Sequence, residues 1–234
     1  MSWVLANLPT IAGHLLAHLL QAVPAIIASF VLAIPIARLA RVARPLRAVL
    51  VTGSSLLYAV PSLALFVILP IILATGIRDP LNVIVALTLY GLALLVPATA
   101  DALDAVDARV LDAATAMGMG RLRCFLTVEL PLAGPAILTC LRVVTVSTIS
   151  LTTVGAVLGV RSLGWLFTDG FQRGITAEIV TGLVATAALA LVLDGLVLAL
   201  GRLCLPWTWK RVGTSGAAVA GVGAATSGSQ EGKA

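Results

Sequence analysis

The chain has 234 residues, of which 60% are hydrophobic and 11% charged, against about 25% charged residues in ordinary soluble domains. One core in a chain this size cannot hide that much apolar surface, so lipid must cover it, which excludes a soluble enzyme, a secreted disulfide scaffold and a disordered chain. The net charge of +5 then reads as basic residues beside membrane spans, and no nucleic-acid partner is expected.

A membrane-spanning helix needs about 20 mostly apolar residues. Residues 1–14 read as an extracytoplasmic N-terminus, without a cleavable signal because no Lys or Arg precedes Arg38. The expected spans run from Leu15 to Ala37, Ala48 to Ala74, Leu81 to Ala100, Leu130 to Leu158 and Ile179 to Leu200. The second contains Pro61 and Pro70, and dividing it at Pro61 would give a sixth span. Arg38, Arg41, Arg44 and Arg47 fill the first connection, Arg109, Arg121 and Arg123 the third, and Arg202, Lys210 and Arg211 follow the last span. The positive-inside rule therefore puts the N-terminus outside and the C-terminus in the cytoplasm. The membrane domain covers residues 15–206, and residues 207–234 read as a cytoplasmic tail whose Gly, Ala and Ser run is expected to be disordered. The fold class is thus all-α integral membrane, with about five transmembrane helices.

Several residues inside the spans stand out. Arg142 and Asp194 are costly in lipid and read as a structural pair, with a lining of the path, or Arg142 snorkelling to the border, as the other readings. His14 and His18 share a helix face without a third ligand, so no metal site is expected. Cys124, Cys140 and Cys204 form neither a disulfide framework nor a ligand set. Asp101 and Asp104 read as solvated residues with no special role. Gly155 with Gly159, and less clearly Gly91 with Leu95, are small-residue steps that either bring helices together or mark a helix end. Pro61, Ser62 and Thr88 are read as interruptions beside a cavity or as plain kinks, and Tyr58, Pro61, Ser62 and Tyr90 are the candidate translocation-path residues.

The stretch from Asp107 to about Pro131 is the informative connection. It is far longer than two spans require, and leaves Leu111, Met117, Leu122 and Phe125 exposed unless something covers them. Its small-residue face, Ala113, Ala114 and Gly118, suits either another protein's groove or an amphipathic helix on the lipid headgroups. Asp112-Ala113-Ala114 is followed after three residues by Gly118, then after nine by Val128-Glu129-Leu130-Pro131. This resembles the cytoplasmic coupling-loop signature of bacterial ATP-binding-cassette importer permeases, with Asp for Glu and Val for Ile. Tyr58 to Leu65 and Ala86 to Tyr90 are similar to the osmoprotectant subfamily, which imports glycine betaine, choline, carnitine and related quaternary amines. Where members of that subfamily read G-A-G-G-L-G, this chain has Gly159-Val160-Arg161-Ser162-Leu163-Gly164. Methionine-type permeases share the same core.

The resemblance implies a subunit of an importer working by alternating access in the bacterial plasma membrane. It further implies contact between Asp112, Ala113, Ala114, Gly118, Val128, Leu130 and Pro131 and an ATPase dimer. A second permease subunit, identical or related, and an extracytoplasmic substrate-binding protein are the other implied partners. No G-x-x-x-x-G-K-[ST] occurs in the chain, so catalytic residues are not expected here, and ATP and Mg would belong to the partner ATPase. The sparse aromatics place tight amine capture on the separate binding protein. The alternatives are a permease for methionine or another amino acid, and, from another class, an ATP-independent channel or secondary carrier, which would normally need intramembrane acids.

Overall fold

The computed structural model describes residues 2–42 and 44–208. The expected disordered tail from Gly213 to Ala234 lies outside the described residues. In chain order the main helices are α1 (Ser2–Ala6), α2 (Leu8–Val42), α3 (Arg44–Ala59), α4 (Ser62–Leu73), α5 (Pro80–Asp104), α6 (Ala108–Ala116), α7 (Arg121–Cys124), α8 (Leu130–Val154), α9 (Trp165–Arg173) and α10 (Thr176–Cys204). No strand occurs among the described residues. Four helices are long and apolar enough to cross a membrane: Leu8–Arg41, Pro80–Asp104, Arg121–Leu158 and Thr176–Cys204. The pair Arg47–Ala59 and Ser62–Leu73, bent by 109°, makes a fifth if it counts as one broken span.

That bend removes the six-span alternative. At 1.5 Å per residue, α3 and α4 reach about 24 Å and about 18 Å, each short of a hydrocarbon core of about 30 Å. Pro61 causes the break: it has no N–H, and its ring pushes Val60 out of the helical region. The first span departs from expectation in the other direction, since α2 begins at Leu8 and continues to Val42. At 35 residues it is about 53 Å long, more than the hydrocarbon core requires.

The bundle is organised around α2 and α5, which pack along each other. On α2 the buried face is a stripe of small residues, Ala22, Ala25, Ser29, Ala33, Ala37 and Ala40. Steps of three and four keep them on one side of the helix. Lipid is as apolar as the side chains, so what gains by association is close van der Waals packing, and small residues permit it. The approach is close at Gly91 of α5, where an added Cβ would stand 2.5 Å from the Ser29 Cβ. The Gly91 step is therefore a helix crossing. The Gly155–Gly159 step does both: α8 stops at Val154 and passes through one 3-10 turn to Gly159 in the left-handed region (φ 80°), and a Cβ at Gly155 would stand 3.2 Å from Val83 of α5.

The irregular segment after α8 is seated on α2. Leu163 N–H donates to His18 Nδ1 at 3.4 Å, the Gln21 amide donates to the Arg161 carbonyl at 2.6 Å, and the Trp165 ring stacks on His14 with centroids 4.7 Å apart. Residues 14, 18 and 21 share a face of α2, so the two histidines receive a loop. No metal-holding cluster occurs among the described residues. Gly164 is required by contact, because a Cβ there would fall 2.1 Å from the Thr153 carbonyl oxygen.

A direct check of the α2–α5 crossing is Gly91→Ala, which should cost about 1–3 kcal/mol by overpacking. The expected reading is a lower thermal aggregation temperature of the detergent-purified protein. Adding Ser29→Gly should restore most of it, because it removes the opposing Cβ.

Candidate functional site

The signature segment is built in two arms rather than as a loop. The first is α6, started by Asp107, whose carboxylate accepts the Arg109 N–H at 2.9 Å. It ends at Gly118, held at φ 83°. Gly118 N–H reaches the Thr115 carbonyl at 2.9 Å and Met119 N–H reaches the Ala114 carbonyl at 3.2 Å. This paired closure needs a left-handed residue at that position, which is the physical reason for glycine there. The second arm is a continuation of the next span: α7, a π-turn over Phe125–Glu129 and α8 form one continuous helical rod, Arg121–Leu158. The π-turn falls where Pro131 offers no N–H to the carbonyl four residues back, so the helix widens.

The seven signature residues divide between the two arms and between faces. Asp112, Ala113 and Gly118 are exposed, whereas Ala114 is buried. Val128, Leu130 and Pro131 are half-buried, and Leu130 and Pro131 line an apolar groove of about 450 Å³ between α2, α8 and α10. Among the expected apolar knobs, Met117 and Leu122 are exposed at 71% and 61%, joined by Leu126 at 53%. Phe125 departs from expectation: it is buried at 5%, with the Arg38 guanidinium 4.0 Å above its ring.

A charge network ties this segment to the bundle, and it corrects the reading of Asp104 as a solvated bystander. Asp104, at the end of α5, accepts from Arg41 Nε of α2 at 3.3 Å and from Arg47 Nη2 of α3 at 2.5 Å. Arg41 also pairs with Glu129 of the π-turn. Arg41 therefore stands between the signature segment and the end of α5, and Asp104 brings in α3. Single exposed pairs contribute about 0–1 kcal/mol, but linked pairs that share a half-buried arginine lose less to solvent screening. The spacing of Arg38, Arg41 and Arg47 showed a basic connection; their acidic partners are remote in sequence, so no local pattern could reveal them.

At the Pro61 break, two of the four path candidates come together. Tyr58 and Tyr90 meet edge to face with centroids 6.0 Å apart, and the Tyr90 hydroxyl donates to the Val60 carbonyl at 2.5 Å. That bond satisfies a carbonyl the helix break released. Ser62 opens α4 one residue further on. Tyr58 and Tyr90 line a narrow crevice with Val144, Ser147 and Thr148 of α8. Thr88 is no interruption, since its hydroxyl donates to the Ile84 carbonyl one turn back within an unbroken α5. Arg142 and Asp194 form a two-pronged pair between α8 and α10, Nε to Oδ1 at 2.8 Å and Nη2 to Oδ2 at 2.7 Å.

Fold and site together define an all-α membrane protein of the transporter-permease kind. Residues 29–209 match the family described as binding-protein-dependent transport system inner membrane component, and the chain belongs to that family. It is 29% identical over 197 residues to the choline transport system permease protein OpuBD of Bacillus subtilis (strain 168), covering 84% of this chain and 86% of that one. It is 32% identical over 151 residues to the ergothioneine transport permease/ergothioneine binding protein EgtU of Helicobacter pylori (strain G27), covering 64% of this chain but 27% of that longer protein. Among solved structures, the inward-facing MetNI methionine transporter matches with a TM-score of 0.72 at 20% identity, over 83% of this chain and 95% of that one. That likeness establishes the shared fold.

The charge network makes a measurable claim. Arg41→Gln should speed backbone hydrogen exchange over residues 121–129 about three- to tenfold in the purified protein. The charge swap Arg41→Glu with Glu129→Arg should recover part of the protection. Unchanged exchange in Arg41→Gln would mean that the network does not hold the segment.

Proposed function

We propose that this chain is the membrane-spanning subunit of an ATP-driven importer that carries a quaternary-amine osmoprotectant into the cell. The observation that carries this reading is the signature segment: a short helix closed by a left-handed glycine, exposing Met117 and Leu122, joined through a π-turn to a span. The choline relative, 29% identical along most of both chains, supports the substrate class. Choline, glycine betaine and ergothioneine share a trimethylammonium group, so the two reported relatives point to the same chemistry.

On this reading the chain makes no bonds. A partner ATPase dimer binds ATP and Mg and receives α6 in its surface grooves, with Asp112, Ala113 and Gly118 at the contact. Ala114, expected there from the signature, is buried within the chain. Val128, Leu130 and Pro131 then belong to the rod that passes the displacement on. Two permease subunits enclose the path, and Tyr58, Pro61, Ser62 and Tyr90 are its proposed lining on this side. An extracytoplasmic binding protein delivers the solute. The bent α3–α4 pair suits such a path, because non-helical backbone at membrane depth is tolerated beside a water-filled cavity and not against lipid.

Uptake of radiolabelled choline and glycine betaine, in cells expressing this chain with its partner ATPase and binding protein, tests the assignment. Gly118→Trp should leave membrane insertion intact while ATP hydrolysis no longer drives uptake. Normal uptake by that variant would remove the ATPase-contact assignment.

The basic-residue counts orient the chain with the N-terminus outside and the C-terminus in the cytoplasm. A cysteine at Ser2 should react with a membrane-impermeant thiol reagent in intact cells, and one at Ser227 should not. The reverse pattern would invert the topology.

A further inference from the structure

At the end of the bundle opposite the signature segment, the α4–α5 connection, the end of α8 and α9 surround a polar cavity of about 380 Å³. Its lining includes Arg78, Gly159, Trp165, Thr168, Asp169 and Gln172. Arg78 lies across the Gly159 turn, its Nε 3.0 Å from where a Cβ on that glycine would be. Asp169 pairs with Arg173 on its own helix at 3.0 Å. Among the described residues, no ion pair joins Asp169 to Arg78. One cavity is thus faced by a cation and an anion that are not paired with each other. Trp165, which stacks on His14 with centroids 4.7 Å apart, lines the same space. Behind Asp169 the Glu178 carboxyl is buried at 1% exposure.

We propose that this cavity binds a small zwitterion, its carboxylate on Arg78 and its ammonium between Asp169 and the Trp165 ring. The opposed charges decide the class of ligand. A simple anion at Arg78 would face Asp169, and a simple cation at Asp169 would face Arg78; a molecule carrying both charges a few ångströms apart satisfies both walls. An aromatic residue in the same lining as the carboxylate suits an alkylated ammonium, which offers methyl groups and little hydrogen bonding. Arg78 is exposed and Asp169 already has a partner, so binding is weak, as a station that must release its cargo requires. The site lies off the signature segment and is independent of how that segment couples. The glycine betaine probe, the weak-binding expectation and the partner proteins used in the test rest on the proposed function.

The test is saturation-transfer NMR on the full chain, purified with its ATPase in detergent micelles, using glycine betaine, methionine, choline and acetate. Zwitterion binding should be saturable and about tenfold tighter than that of choline or acetate. Arg78→Gln should weaken zwitterion binding about tenfold without weakening choline, whereas Asp169→Asn should weaken both. Arg173→Gln, which frees the Asp169 carboxylate, should tighten both; a purely structural role for the Asp169–Arg173 pair would give the opposite sign. Zwitterion affinity unchanged in both Arg78→Gln and Asp169→Asn overturns the site. So does the result that these variants leave solute binding unchanged but abolish stimulation of ATP hydrolysis by the binding protein, which makes the cavity a docking surface for that protein. Methionine binding without glycine betaine binding supports the cavity and removes the osmoprotectant reading. Glycine betaine uptake in cells without any zwitterion binding at the cavity does the reverse.

Discussion

Hydrocarbon offers no hydrogen bonds, so every place where this chain leaves the helix must find a donor or acceptor from the protein itself. The fold can be followed through those places. At Pro61 the released Val60 carbonyl is taken by the Tyr90 hydroxyl. After α8 the backbone of residues 161–163 is taken by Gln21 and His18. Before α5 the turn is closed by Asp79, which accepts from Leu81 N–H, and by Asn82, whose amide donates to the Gly76 carbonyl. Each interruption is thereby anchored to another element, and the anchors fix how the helices sit.

The same constraint separates the two ends of the molecule. One end carries the signature segment, whose base is held by charges: Arg41 to Glu129, Arg41 and Arg47 to Asp104, and Arg38 over Phe125. The helix α6 beyond that base is loosely attached and exposes Met117. The result is a lightly held arm on a firmly held base. The other end is shaped by close contact, with Gly164 against the Thr153 carbonyl and α9 folded over the start of α10.

Between the ends, α2 and α5 form the rigid centre. Their crossing at Ser29 and Gly91 is dense and lined by small residues. The outer helix α10 buries little and faces its surroundings with Leu183, Leu191 and Leu203. The Arg142–Asp194 pair ties it to α8, and a charge within a span persists only when paired.

Composition, the lengths of the apolar runs and the signature spacing determined the class of protein, the approximate spans and the family resemblance. These properties are local: hydropathy sums over neighbours, and the signature lies within twenty consecutive residues. The need for glycine at position 118 was also written locally, since a left-handed helix end is a short-range matter. What the sequence could not disclose were the pairings between remote residues. Asp104 looks like any acid at a helix end until α2 and α3 bring Arg41 and Arg47 to it. Phe125 looks like an exposed knob until Arg38 covers it. His14 and His18 show only a shared helix face until a loop about 145 residues away settles on them. Tertiary structure decided these because a side chain's partner depends on which helix faces follow which crossing, and that follows from close packing along whole helices.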